Sequence, residues 1–267
     1  MKLHYLSVPA LLLVLTSCNW GGKRVTTPAV AEDTLTYTNK VYKLRAPDCG
    51  NKPDSACTSI VYKYPLFTKE TALNDSVRFN LVKQLRMSDE KDTSLAKLSS
   101  AFIKTYQQYK KADTSEMFFT LEANASIVRQ DSSLTTLQYD SYKYTGGAHG
   151  GSFTSFVNWN TKSHKDLTLE DIFIAGYKPA LTRVAEKIFR KQENLSDTAS
   201  LATDYFFENN KFALNNNFLI TPVGIRFLYN QYEIKPYAAG QTDLLVPYNQ
   251  IKKLLKPNTV TAQYLKK

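Results

Sequence analysis

Cysteine and histidine are scarce here, three of each in 267 residues. His4 and Cys18 fall within the first 18 positions, which leaves His149, His164, Cys49 and Cys57 for the rest of the chain. Two histidines cannot build a His-x-x-x-His or His-Glu-x-x-His zinc site at the required spacing, and no Gly-x-Ser-x-Gly nucleophile turn occurs. Ten glycines and ten prolines exclude a collagen-like or linker-dominated chain. Long apolar runs are missing after residue 15, and acidic residues are missing from Leu244 to the last residue. What is abundant is aromatic: 17 Tyr and 14 Phe, suited to sheets and contact surfaces. With 43% hydrophobic and 22% charged residues, the chain is globular rather than disordered.

The one concentrated apolar run, Val8 to Leu15, comes after Lys2 and His4. It is short of the roughly 20 residues of a membrane span but matches the core of an export signal. Leu15-Thr16-Ser17-Cys18 comes directly after it and resembles the processing site of bacterial lipoproteins, in which the cysteine is lipidated. The reading is therefore a signal peptide over 1–17, acyl attachment (palmitate or similar) at Cys18, and a polar tether over 18–38. More than one acyl chain is needed for stable anchoring. Cys49 and Cys57 are then an exported pair in a Pro/Gly/Asn-rich stretch, which reads as a disulfide. A metal pair is the alternative, though no histidine lies near.

The formal charge is +10, or +9 once Lys2 leaves with the leader. Lys252, Lys253, Lys256, Lys266 and Lys267 place five positive charges near the end, with 257–267 read as a basic tail. Such a tail is either a solvated face or an attraction to anionic lipid or wall polymer. Nucleic acid is not an expected partner of an exported lipoprotein.

Periodicity then divides the body. Leu35 to Leu44 and Ser59 to Pro65 read as strands, with Thr68 as a candidate cap for the next element. Leu73, Val77, Leu81 and Leu85 predict one amphipathic helix, and Leu95, Leu98, Phe102, Tyr106 and Tyr109 a second. Long paired strands run from Met117 to Val128 and Leu134 to Tyr144, and another from Phe153 to Trp159. Beyond them lie a short helix after Thr168, a helix beginning at Pro179, a short helix from Leu201 to Phe207, two strands across Pro222-Val223-Gly224, and a helix from Tyr248 to Leu255. Helices and strands do not alternate strictly, so the class is α+β, with mainly antiparallel mixed sheets and flanking helices.

The segments Tyr142 to Gly151, Asn158-Trp159-Asn160, Leu167 to Phe173, Phe218 to Tyr229, Tyr232-Glu233-Ile234, Pro236 to Gly240 and Val246-Pro247-Tyr248 carry a resemblance. They are similar, in order, to the extracytoplasmic domain of the RsiV-type anti-sigma factor, which senses lysozyme, and of a group of bacterial lipoproteins. Tyr64-Pro65 and the helix around Asn80 resemble the companion module of the PdaC-type polysaccharide deacetylase. The resemblance implies two adjoining modules, 39–140 and 141–256. Asn160 to Lys165 departs from it, standing where a glycine-containing turn is usual.

Glu170, Asp171, Glu233, His149 and Ser152 are the side chains an enzyme would draw on, without a motif to join them. The reading is therefore a non-catalytic envelope lipoprotein that binds a cell-wall polymer or envelope protein and needs no cofactor or metal. Its membrane contact is the lipid anchor, most simply in an outer membrane. A cell-wall-modifying hydrolase and a structural envelope protein without a small ligand are the alternatives. Candidate binding residues are Tyr144, Gly146, Gly147, His149, Gly150, Tyr232, Glu233 and Tyr237. His149 is expected to be a hydrogen-bonded structural residue of the turn, and Tyr229, Tyr232 and Tyr237 to be buried packing. Tight binding of a strongly basic lysozyme is not expected, because the charges repel.

Overall fold

The structure is a computed structural model, and it describes residues 35–85, 94–112 and 117–265. The segment expected to be a leader and Cys18 lie outside the described residues. A six-stranded sheet runs in chain order through β1 (Tyr37–Arg45), β2 (Ser59–Phe67), β3 (Thr120–Gln130), β4 (Leu134–Tyr144), β5 (Gly151–Asn160) and the two-residue β6 (Lys165–Asp166). Every neighbouring pair is antiparallel except β2 and β3. That parallel step needs a long crossover, and the two predicted helices supply it as α1 (Thr71–Leu85) and α2 (Leu95–Ala112). Their apolar stripes cover one sheet face: Leu73, Val77, Leu81 and Phe102 pack with Ile60, Tyr62, Leu137 and Tyr139, all buried. Asn74, not Thr68, fixes the entry to α1, since its buried amide both accepts from the Phe67 N–H and donates to the Phe67 carbonyl, at 2.8 Å each.

A second sheet holds β7 (Phe218–Ile220), β8 (Gly224–Tyr229) and β9 (Thr242–Pro247), all antiparallel. Around it lie α3 (Leu169–Ile172), α4 (Lys178–Gln192), α5 (Tyr248–Ile251) and α6 (Ala262–Leu265). Leu181, Ala185 and Phe189 of α4 pack with Phe227, Leu244 and Val246 into a second core. Helices and mixed, mainly antiparallel sheets together make an α+β fold.

The two sheets meet along β5. On one side β5 pairs with β4; along much of the other side it has no strand neighbour among the described residues, and asparagine side chains take the place of one. Asn230 accepts from the Thr154 N–H at 2.7 Å and donates to its carbonyl at 3.0 Å. Asn217 accepts from Phe156 N–H at 3.0 Å and also donates to the Thr154 carbonyl at 2.8 Å. Buried Asn158 answers from β5, donating to the Phe218 carbonyl and accepting from the Ile220 N–H, both at 2.8 Å. A side-chain amide has one acceptor and one donor group, the same pair a strand edge requires. Phe156, Leu219 and Leu228 close a small apolar cluster beneath this seam.

Several sequence expectations change in the folded chain. Position 141 falls inside β4, and the first sheet continues to residue 166, so the strand pairing runs through the expected module boundary. Leu201 to Phe207 is not helical: Phe206 N–H donates instead to the Ile234 carbonyl at 3.0 Å, drawing the chain across to the second core. The final helix is shorter than Tyr248 to Leu255, because Leu254 accepts from Ile174 N–H and Lys256 N–H donates to Ile172, which pulls the chain out of helical pairing. The segment after 257 is not a free tail as far as residue 265. Val260 and Thr261 are buried, and Tyr264 donates to Asp131 at 2.7 Å. In the turn that departs from the resemblance, His164 takes φ 50°, the left-handed conformation a glycine would adopt without cost.

A candidate binding groove and its aromatic rim

Strand alternation leaves the sheet face opposite α1 and α2 polar. The registers of β1 to β5 align two rows of residues across five strands: Lys43, Val61, Glu122, Tyr142 and Ser152, then Val41, Lys63, Asn124, Asp140 and Thr154. All ten line a groove of about 880 Å³. At about 4.8 Å per strand, the rows are roughly 19 Å long. Lys43 is committed to Asp54, Nζ to Oδ2 2.5 Å. Asp140 accepts from Gln138 at 2.8 Å and from the Thr154 hydroxyl at 2.8 Å. Lys63 and Glu122 enter no ion pair among the described residues.

One rim of this groove carries the glycine-rich turn between β4 and β5. Gly146 and Gly147 take φ 100° and 93°, which side chains rarely adopt, and Tyr144 closes the turn by donating to the Gly147 carbonyl at 3.0 Å. Gly150 is required for a different reason: a Cβ there would stand 2.4 Å from the Tyr142 ring. Tyr142 thus lies against the turn from the groove side. On the residue before Gly150, His149 stacks on Tyr237 with ring centroids 4.3 Å apart and planes at 15°. Tyr237 in turn meets Tyr232 at 5.4 Å. The histidine expected to be hydrogen-bonded within the turn is instead exposed, its one ring-nitrogen contact among the described residues being the neighbouring Gly150 carbonyl at 3.2 Å. Tyr232 is 58% exposed and holds φ 65°, while Tyr229 alone of the three tyrosines is fully buried packing.

Glu233 does not face a ligand with a free carboxylate. It accepts from Asn215 at 2.7 Å and from the Asn230 backbone at 2.8 Å, bracing the loop whose Asn230 grips β5. Glu170 is held below the ordinary carboxylate range by the hydrogen bond from Lys178, with Tyr177 adding to it. Asp171 closes the capping box of α3 with Thr168. Burial opposes its charge, but bonds from Lys165 and Thr168 win and lower its pKa. Ser152 lines the groove, and the ring nitrogen of His149 contacts Gly150 rather than this hydroxyl. Among the described residues no cluster of three or more histidine, cysteine, aspartate or glutamate side chains could hold a metal.

Cys49 and Cys57 form the disulfide, Cα atoms 5.3 Å apart, in the connection between β1 and β2. Next to Cys49, Asp48 accepts from Tyr106 at 2.8 Å and also pairs with Lys110, so the bridged loop is fastened to α2. Burial disfavours the Asp48 charge, yet those two bonds hold its pKa below the usual value.

A family model described as "Deacetylase PdaC" matches residues 51–152, and one described as "Protein of unknown function (DUF3298)" matches residues 170–249. The chain is 23% identical over 195 residues to the peptidoglycan-N-acetylmuramic acid deacetylase PdaC of Bacillus subtilis strain 168. That alignment covers 70% of this chain and 41% of the deacetylase, so the chain spans about two fifths of that relative's length. A solved DUF3298 family protein from Pseudomonas aeruginosa superposes with a TM-score of 0.69 at 23% identity, covering 85% of this chain and 97% of its own. A member of the same family from Bacteroides fragilis gives 0.66 at 20% identity, covering 88% and 98%. The fold is shared with solved DUF3298 proteins. Within it, the PdaC-like match takes in β2 to β4 and the glycine turn, so it contains most of the groove floor. The DUF3298 match contains the loop that carries Tyr232 and Tyr237.

The structure brings His149, Tyr232 and Tyr237 together, and puts Tyr144, Gly146, Gly147 and Gly150 at the turn that presents His149. It separates Glu233 from them in role. Sequence reasoning missed the groove floor. Its signal was present in β3, where Glu122, Asn124 and Ser126 alternate with buried Leu121, Ala123 and Ala125. An acid and an amide in the middle of a long central strand indicate a polar face that no other element of the described residues covers.

Proposed function

We propose that this protein is an extracytoplasmic, non-catalytic binding body that holds a stretch of cell-wall glycan in the groove across β1 to β5. The observation that carries the reading is the pair of aligned rows, which offer carboxylate, amide, ammonium and hydroxyl groups beside Tyr142 over about the length of several sugar rings. The relative named as a peptidoglycan-N-acetylmuramic acid deacetylase supports a wall context. The carboxylates an enzyme would use, Glu170, Asp171 and Glu233, are occupied in bracing the fold, which favours binding over hydrolysis. In this reading the module 39–140 supplies most of the floor, 141–256 supplies the rest of it and the rim, and acyl chains on Cys18 tether the body to a membrane, most simply the outer one.

Titration calorimetry of the full chain in detergent with soluble, undegraded glycan strands tests it. Binding that Tyr142→Ala reduces about tenfold or more, with no change in strand length, supports the reading. Absence of binding, or shortening of the strands, removes it. For the tether, metabolic acyl labelling of Cys18 and its loss in Cys18→Ala is the expected result.

A further inference from the structure

The groove's charges do not all stay available to a ligand. Lys43 and Asp54 satisfy each other, and Asp140 is held by Gln138 and Thr154. Among the described residues Lys63 and Glu122 remain without an ion pair, one of each sign, on the neighbouring parallel strands β2 and β3. Glu122 stands opposite Val61, and Lys63 is two residues further along β2, so the two are diagonal neighbours about 7 Å apart at Cβ. On its other side Glu122 is directly opposite Tyr142, which is 37% exposed and backed by Gly150.

A pyranose stacked on Tyr142 therefore extends its ring substituents over a free carboxylate, with a free ammonium one diagonal step away. A neutral sugar would leave both charges without a partner, and an acidic sugar would satisfy Lys63 while crowding Glu122. The geometry points to an amino sugar with an unacylated ammonium and a carboxylate on adjacent ring positions. De-N-acetylated muramic acid within a glycan strand has that chemistry: a C2 ammonium toward Glu122 and a C3 lactyl carboxylate toward Lys63. This inference rests on the groove reading above. It narrows that reading to wall glycan whose muramic acid has lost its N-acetyl group.

The test uses the full chain in detergent and four tetrasaccharides in calorimetry. These are neutral chitotetraose, its cationic glucosamine counterpart, the alternating N-acetylglucosamine–N-acetylmuramic acid tetramer, and that tetramer de-N-acetylated at muramic acid. The last should bind about tenfold or more tighter than any other, as expected when a charge-assisted contact is gained. Glu122→Gln should abolish the gain from the free amine, and Lys63→Met the gain from the lactyl group, each read as the ratio of that variant's affinities for the paired tetrasaccharides, with both variants melting like the parent. Equal affinity for all four, or a preference that survives both substitutions, overturns the zwitterionic site and leaves the groove reading standing. Failure of all four to bind overturns the groove reading as well.

Discussion

His149 presents its ring to solvent and rests on Tyr237, so truncating it removes a stacked surface and a single ring-nitrogen contact, to the neighbouring Gly150 carbonyl. His149→Ala should therefore lower stability by at most about 1 kcal/mol in a thermal melt while weakening glycan binding at the rim. Loss of several times that amount would mean that the turn depends on the ring. Asp131 is the opposite case, 1% exposed and surrounded by donors from Ser133, Leu134, Gln263 and Tyr264. Burial raises its pKa, but the Tyr264 hydroxyl and the Ser133 N–H outweigh this, and the folded value is lowered. A carboxyl lowered on folding contributes stability that is complete above its unfolded value, about 3.9, and is lost as pH falls through the folded value. Urea unfolding should accordingly show the docked 259–265 segment weakening below about pH 4. Asp131→Asn should cost about 1 to 3 kcal/mol at pH 7 and flatten that acid limb.

Among the elements, the seam along β5 is where side chains replace a strand. Asn158→Ala would leave the Phe218 carbonyl and the Ile220 N–H unpaired in a buried place, and should cost about 1 to 3 kcal/mol in chemical denaturation. Full recovery of stability with Asn158→Leu would contradict that account. Elements held by their own periodicity were legible beforehand: the four-residue spacing of Leu73 to Leu85 gave α1, and Pro179 sits in the first turn of α4. Elements decided by distant partners were not. Leu201 to Phe207 has helical spacing of apolar residues, but its Thr, Asp and aromatics have weak helix preference, and packing on Phe189 and Phe212 outweighs it. The Asn158 motif was visible as wording, yet nothing local in an asparagine tells that its amide will stand in for a strand. The candidate site divides likewise: the turn glycines announced themselves, whereas the groove exists only after β2 and β3 are brought together across α1 and α2.

For the molecule as a whole, charge sets which partners approach. A formal charge of +10 repels a cationic protein at long range. Calorimetry at physiological salt should show no submicromolar binding of a strongly basic lysozyme. The disulfide acts at this scale only locally, closing the connection between two strands that are already paired over nine positions.

The amides that close β5 come late in the chain. Thr154 waits 76 residues for Asn230, and Phe156 waits 61 for Asn217. A chain that emerges from its N-terminus completes β1 to β5 while these partners are still being delivered. During that interval the first sheet has a finished interior and a bare edge, the state from which neighbouring chains pair wrongly. Crowding of nascent copies, more than heat, is thus the hazard built into this architecture, and whatever escorts the chain has to shield one strand for the time it takes to extrude the second sheet.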